Sequence, residues 1–167
     1  MKCVLLAYYP LGEVPKVIIK LAALLKENKI NVKTEELILE EDLSMKKQFK
    51  LEKKLVLKNK IPSLKSFDLI VIGTPIVSFS SVPAINIFIR SLPKVAEKKF
   101  ALFATGIGLP GTAIKKMTSL LSMQKGKVVA TQVFSSIFEF DEKKLREVNK
   151  LLEQIKAQLW LSLQPLV

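Results

Sequence analysis

The sequence predicts a doubly wound α/β domain, a parallel five-stranded sheet of order 2-1-3-4-5 with helices on both faces. Three observations carry this expectation. Unbroken apolar runs at residues 4–8, 69–72 and 100–104 suit strands covered on both faces. A helical spacing of apolar residues follows each run. Alternation over residues 31–37, with Val32 and Leu37 set against Lys33 and Glu35, marks a more polar strand for the sheet edge.

Residues 4–8 resemble a short secretory leader in hydropathy, but Tyr8, Tyr9, Pro10 and Leu11 offer no small-residue cleavage site, so the run reads as the first strand. Val17, Ile18, Leu21, Leu24 and Leu25 then repeat at helical spacing, with Pro15 suited to a first turn and Asn28 to a C-terminal stop. After the edge strand, a helix is expected within residues 43–58, ended by Pro62. The third strand, 69–73, leads to a helix over 83–92 preceded by Ser81 or Val82. The fourth strand spans 100–105; Gly111 and Thr112 introduce a helix carrying Ile114, Met117, Leu120 and Leu121, closed by Gly126. Residues 128–134 form the fifth strand. Asp141 caps one final helix, on which Leu145, Val148, Leu152, Ile155 and Leu159 recur at intervals of three and four. The domain is expected over residues 1–160, with a short apolar tail at 161–167 that offers a route to self-association.

Composition removes several kinds of chemistry. The chain has no histidine and one cysteine, so Ser-His and Cys-His catalysis, His-ligated zinc and an intramolecular disulfide are all excluded. Cys3, near the start of a buried strand, is expected to be an inert core residue. No apolar stretch approaches the roughly 20 residues a spanning helix needs, and the expected compartment is the cytoplasm. The balance of 27 basic and 15 acidic residues gives a net charge of +12, which raises the question of nucleic acid. Eight lysines fall between Lys46 and Lys65 with only Glu52 opposing them. Nucleic-acid binders interleave such charge with arginine forks and stacking aromatics, whereas this stretch has only Phe49, and the whole chain only Arg90 and Arg146. A solvated lysine-rich face is expected, and no nucleic-acid partner.

In the predicted strand order, ligands bind in the crevice outside the carboxyl ends of strands one and three. Function is therefore sought in three loops, at residues 9–15, 74–82 and 106–111. The first and third strands end in Tyr8-Tyr9 and Thr74-Pro75 rather than in the carboxylates that a phospho-accepting regulator needs for Mg²⁺. Neither a Walker lysine loop nor a Gly-x-Gly-x-x-Gly turn opens the first helix. Gly106, Gly108 and Gly111 have the latter's spacing but follow the fourth strand, where they read as a loop.

The run Phe67-Asp68-Leu69-Ile70-Val71-Ile72-Gly73-Thr74-Pro75-Ile76, continued by Val82-Pro83-Ala84-Ile85-Asn86-Ile87-Phe88 and by Lys98-Lys99-Phe100-Ala101-Leu102-Phe103-Ala104-Thr105-Gly106, resembles the third and fourth strand regions of the flavodoxin family. The resemblance spans nearly the whole chain in element order. It implies FMN held noncovalently at the three loops, with one- or two-electron transfer at the flavin. Carried residue by residue, it implies cofactor contacts at Tyr9, Pro10, Leu11, Gly12, Glu13, Val14 and Lys16; at Thr74, Pro75, Ile76, Val77, Ser78 and Phe79; and at Thr105, Gly106 and Gly108.

The first loop departs from the family pattern. There a Ser/Thr-rich segment around Gly-Asn-Thr meets the phosphate; here no hydroxyl lies between Pro10 and Lys16, and two prolines remove N–H donors. Glu13 adds repulsion to a phosphate, and two readings of Lys16 stay open: it offsets that repulsion, or it is simply solvated. In the second loop the position of a ring-covering aromatic is held by Val77, with Phe79 two residues on as the substitute. Each residue also has a plain structural role open to it: Phe79 as a cover for core, Thr74 and Thr105 as caps, the glycines as turns.

Two functions therefore stand side by side, ahead of a third, a nucleic-acid or anionic-lipid binder driven by the lysine segment. The first is an FMN-binding redox protein, an electron carrier or a small flavin reductase, whose redox partner presents an acidic surface to this basic chain. The second is a flavin-free module that keeps the fold for binding or assembly.

Overall fold

The computed structural model describes residues 1–136 and 141–161. Its parallel sheet follows the order β2-β1-β3-β5-β6, where β1 is Cys3–Tyr8, β2 Asn31–Glu36, β3 Leu69–Val77, β5 Lys99–Ile107 and β6 Lys127–Ser136. These five strands are the expected five in the expected order. An additional two-residue strand, β4 (Ser80–Ser81), folds back antiparallel on the end of β3. The helices are α1 (Val14–Glu27), α2 (Met45–Lys50), α3 (Pro83–Ser91), α4 (Ala113–Met123), α5 (Glu142–Arg146) and α6 (Val148–Trp160).

The period of two along each strand sorts the core into two layers. Val4 and Leu6 of β1, Leu69 and Val71 of β3, and Ala101 and Phe103 of β5 face α1 and α6. Their neighbours Leu5, Ala7, Ile70, Ile72, Phe100 and Leu102 face α3 and α4. Strands buried on both sides have no polar face to show, which is why their sequences read as unbroken apolar runs. Edge strand β2 is mostly exposed. On the α1 side, Phe103 meets Phe134 edge to face, with ring centroids 5.9 Å apart at 76°. Gly73, paired with Phe103 across β3 and β5, leaves the space this ring fills; a Cβ there would overlap it.

Three local expectations are corrected. The second helix is only the six residues of α2 plus a 3-10 turn at Glu52–Lys54, because this segment carries lysines rather than a core-facing stripe: Gln48 is the only fully buried residue of α2. The final helix is two helices. Asp141 does cap it, its Oδ1 accepting from the Lys144 amide at 3.0 Å, but the chain breaks at Glu147 between α5 and α6. The predicted apolar stripe survives the break, since Val148, Leu152, Ile155 and Leu159 are all buried. Cys3 is half-buried at the periphery of the core rather than inside it.

The C-terminal stop of α1 is as expected in place: Asn28 Nδ2 donates to the Leu24 carbonyl at 2.8 Å, and Lys29 takes the left-handed conformation with φ 59°. The eight lysines of the 46–65 segment are all exposed, as a solvated face requires. Among the described residues no helix is long and apolar enough to cross a membrane. Of the apolar tail, Leu161 is described and 58% exposed; residues 162–167 lie outside the described residues.

Candidate functional site

The sheet itself makes the crevice. β1 stops at Tyr8, paired with Gly73, while β3 runs on beside β5 through Thr74 and Pro75 and then pairs with β4 through Ile76 and Val77. Pro75 is tolerated in a central strand because β1 has ended and no ladder partner is waiting for its missing N–H. The three predicted loops cluster at this carboxyl end.

The first loop leaves β1 with the Tyr9 amide donating to the Gly73 carbonyl at 3.3 Å, and turns with the Leu11 amide on the Tyr9 carbonyl at 2.9 Å. Gly12 adopts φ 60°, a left-handed turn that suits glycine. Glu13 is the N-cap of α1 but its side chain caps nothing, and Pro15 occupies the first turn. Consequently the amides of Gly12, Glu13, Val14 and Lys16 have no acceptor among the described residues. Four unpaired N–H groups at a helix start favour an anion. The Glu13 carboxylate stands at the same helix start but bonds none of them; its Oε2, out of solvent, lies 2.8 Å from Lys16 Nζ.

Tyr8 and Tyr9 are both half-buried, and neither hydroxyl is free. Tyr8 donates to Glu36 at 3.1 Å across the β1–β2 pair. Burial, reinforced by the Glu36 carboxylate that accepts its proton and opposes a second negative charge, raises the Tyr8 phenol above its ordinary value. Tyr9 Oη accepts from Gln48 Nε2 at 3.2 Å, tying the loop to α2.

The second loop is a hairpin that the sequence did not announce. Ser78 and Phe79 both take positive φ, 51° and 59°, closing β3 onto β4. Phe79 is 65% exposed, so it covers no core. Thr74 is fully buried; its hydroxyl donates to the Pro75 carbonyl at 2.9 Å and accepts from the Val82 amide at 3.2 Å, fixing the entry to α3. Behind it, Ser81 donates to Asn86 at 2.7 Å, and Asn86 donates to Glu52 at 3.3 Å.

The third loop adds what sequence reasoning missed. Ile107 and Leu109 are 85% and 72% exposed beside Gly106 and Gly108. Two large apolar side chains in a glycine turn were the available signal, because an ordinary turn has no use for them. Gly106 packs against Ile76 so closely that a Cβ would lie 3.0 Å from its side chain.

Of the sixteen expected contact residues, Pro10, Leu11, Gly12, Lys16, Ser78, Phe79 and Gly108 are exposed around this end. Tyr9, Glu13, Ile76, Val77 and Gly106 are half-buried there. Val14, Thr74, Pro75 and Thr105 are buried, which leaves only their backbone to offer. For a flavin mononucleotide the residues present fit: unpaired amides suit a phosphate, and the exposed Phe79, Ile107 and Leu109 suit an aromatic ring system. The wide cleft of about 890 Å³ between the 3-10 turn and α3 is a separate feature, lined by none of these three loops.

Neither a protein-family model nor a curated protein matches the sequence. Solved structures do match. A flavodoxin from the domain Archaea superposes with a TM-score of 0.67 at 14% identity, over 94% of this chain and 98% of that one. A flavoprotein from Lactobacillus acidophilus, solved in complex with FMN, gives 0.63 at 20% identity over 90% and 99%. The rubredoxin:oxygen oxidoreductase of Desulfovibrio gigas gives 0.65 at 15% identity, covering 98% of this chain but 37% of the larger enzyme. With the strand order, the two helical layers and the crevice beyond β1 and β3, these matches establish that the chain has the flavodoxin-like fold.

Proposed function

We propose that this chain binds FMN at the carboxyl end of its sheet and works as a flavin-dependent redox protein. The observation that carries the reading is the presence, at one end of the sheet, of four acceptor-free amides and of three exposed apolar side chains, Phe79, Ile107 and Leu109. The amides of Gly12, Glu13, Val14 and Lys16 would hold the phosphate through charge-assisted hydrogen bonds. Lys16 balances the Glu13 carboxylate, so the cradle works by backbone dipoles rather than by hydroxyls or net positive charge. Phe79 would lie against the ring, with Ile107 and Leu109 excluding water from it. When bound, the flavin supplies one- or two-electron transfer. The protein with which electrons are exchanged presents an acidic surface, the complement of a chain carrying +12.

Purified protein scanned for visible flavin absorbance, followed by titration of the apo form with FMN and riboflavin, tests this reading. Saturable FMN binding with weaker riboflavin binding is expected. Reduction by NADPH alone would place the protein among small flavin reductases, whereas reduction only through a second protein would make it a carrier. The Glu13 carboxylate at the helix start favours a second reading, a flavin-free binding module, and absence of binding by either flavin selects it.

A further inference from the structure

The crossover between β2 and β3, residues 37–68, is long and largely irregular, holding α2, the 3-10 turns Glu52–Lys54 and Leu64–Ser66, and a single antiparallel bridge between Leu39 and Leu57. Crossovers of this length without a full helix are uncommon in compact domains and commonly functional. Together with α3 it encloses a half-open cleft of about 890 Å³, within the size range of small-molecule sites. Phe49, Leu51, Leu55 and Ile87, all half-buried, contribute its apolar lining, and the exposed Lys50, Lys53 and Lys54 its cationic one.

The cleft's single acid is already neutralised. Glu52 Oε1 accepts from Arg90 at 2.7 Å and from Asn86 at 3.3 Å, and its Oε2 lies 3.7 Å from Lys116. No other carboxylate lies between Lys46 and Lys65. Glu40 and Glu41 border the adjoining hollow that shares Leu51, Lys54 and Leu55 with the cleft, but the cleft's own lining combines apolar surface with three exposed lysines and one neutralised acid, and a ligand that satisfies both is an anion with an apolar body. A nucleic acid fits poorly, since the lining offers one aromatic and no exposed arginine fork beyond Arg90, which Glu52 holds.

We propose that this cleft binds a small amphipathic organic anion of the medium-chain carboxylate class, its headgroup beside Lys53 and Lys54 and its chain along Leu51, Leu55 and Ile87. The site is separate from the flavin crevice and the proposal does not depend on it.

Isothermal titration of the full chain with octanoate, decanoate and dodecanoate, each below its micelle concentration, tests the assignment, with decyltrimethylammonium as the cationic counterpart of decanoate. Expected are 1:1 saturation, tightening of about threefold to fourfold for each added methylene that the cleft covers, weakening with salt, and no comparable binding of the cation. The Lys53→Gln/Lys54→Gln double variant alters two exposed side chains and should melt like the parent while binding decanoate at least fivefold more weakly. Absence of saturable binding, equal affinity for both headgroups, or no response to the double variant overturns the proposal. A peptide of alternating leucine and glutamate that binds where decanoate does not would likewise overturn it and assign the cleft to an acidic protein segment.

Discussion

The carbonyl oxygen of Phe79 accepts two hydrogen bonds from Thr112, one from its amide at 2.7 Å and one from its hydroxyl at 3.0 Å. Thr112 is the N-cap of α4, yet its hydroxyl caps no helical amide; it is spent on the hairpin instead. An N-cap hydroxyl is worth about 1 kcal/mol to its helix, so the tip of the second loop is held at the expense of the helix behind it. The result is an exposed aromatic on a fixed backbone.

Gly111 makes that contact possible. It sits at φ 58°, and a Cβ there would lie 2.5 Å from the Phe79 carbonyl oxygen, a backbone atom with little freedom to retreat. Gly111→Ala is expected to cost about 1–3 kcal/mol through backbone strain and to release the hairpin. A urea midpoint unchanged from the parent, with flavin affinity also unchanged, would show that the clamp holds nothing of consequence.

Phe79→Ala separates ring contact from folding. Because the side chain is 65% exposed, its loss should move stability by less than about 0.5 kcal/mol. If it stacks on a flavin, affinity for FMN and riboflavin alike should fall about threefold to tenfold, the equivalent of a typical aromatic pair. Equal affinities for parent and variant would remove Phe79 from the site.

The strand order was legible because burial on both faces writes itself into sequence as unbroken apolar runs, and the exposed edge β2 as alternation. The hairpin was not, because its two left-handed residues are Ser78 and Phe79 rather than the glycine or asparagine that announces such a turn. Thr74 and Thr105 looked like ligand contacts at strand ends; burial of both is a tertiary property with no local signature. The role of Lys16 was half legible. Its spacing from Glu13 permits a pair on one helix face, but only the structure turns the two together at 2.8 Å.

Asp68 joins the start of β3 to the start of β1, with Oδ2 accepting from the Cys3 amide at 2.8 Å and Oδ1 from Lys2 at 3.3 Å. Burial pushes its carboxyl upward, but the Cys3 amide and the Lys2 ammonium together outweigh this and hold it below its ordinary value of 3.8. A depressed folded value means that the contribution to stability is fully present above the unfolded value and is lost as pH falls through the folded one. Below about pH 4 the parent should therefore lose stability more steeply than Asp68→Asn, which has no carboxyl to protonate. Parallel acid-denaturation curves for the two would contradict this role.

If the crevice takes FMN, Glu13 is the residue on which recognition of its phosphate would turn. Two unit charges about 4 Å apart interact by roughly 1 kcal/mol in water and 4 kcal/mol near a protein surface, and Lys16 offsets part of this in the parent. Glu13→Gln removes the repulsion and frees the ammonium. FMN affinity should then rise at least about fivefold, the lower end of that range, with a steeper salt dependence because a net positive charge has appeared. Riboflavin carries no phosphate and should bind the two proteins alike. A gain shared equally by both flavins would place Glu13 beside the ring instead, and no gain for either would mean that the unpaired amides of Gly12, Glu13, Val14 and Lys16 never meet a phosphate.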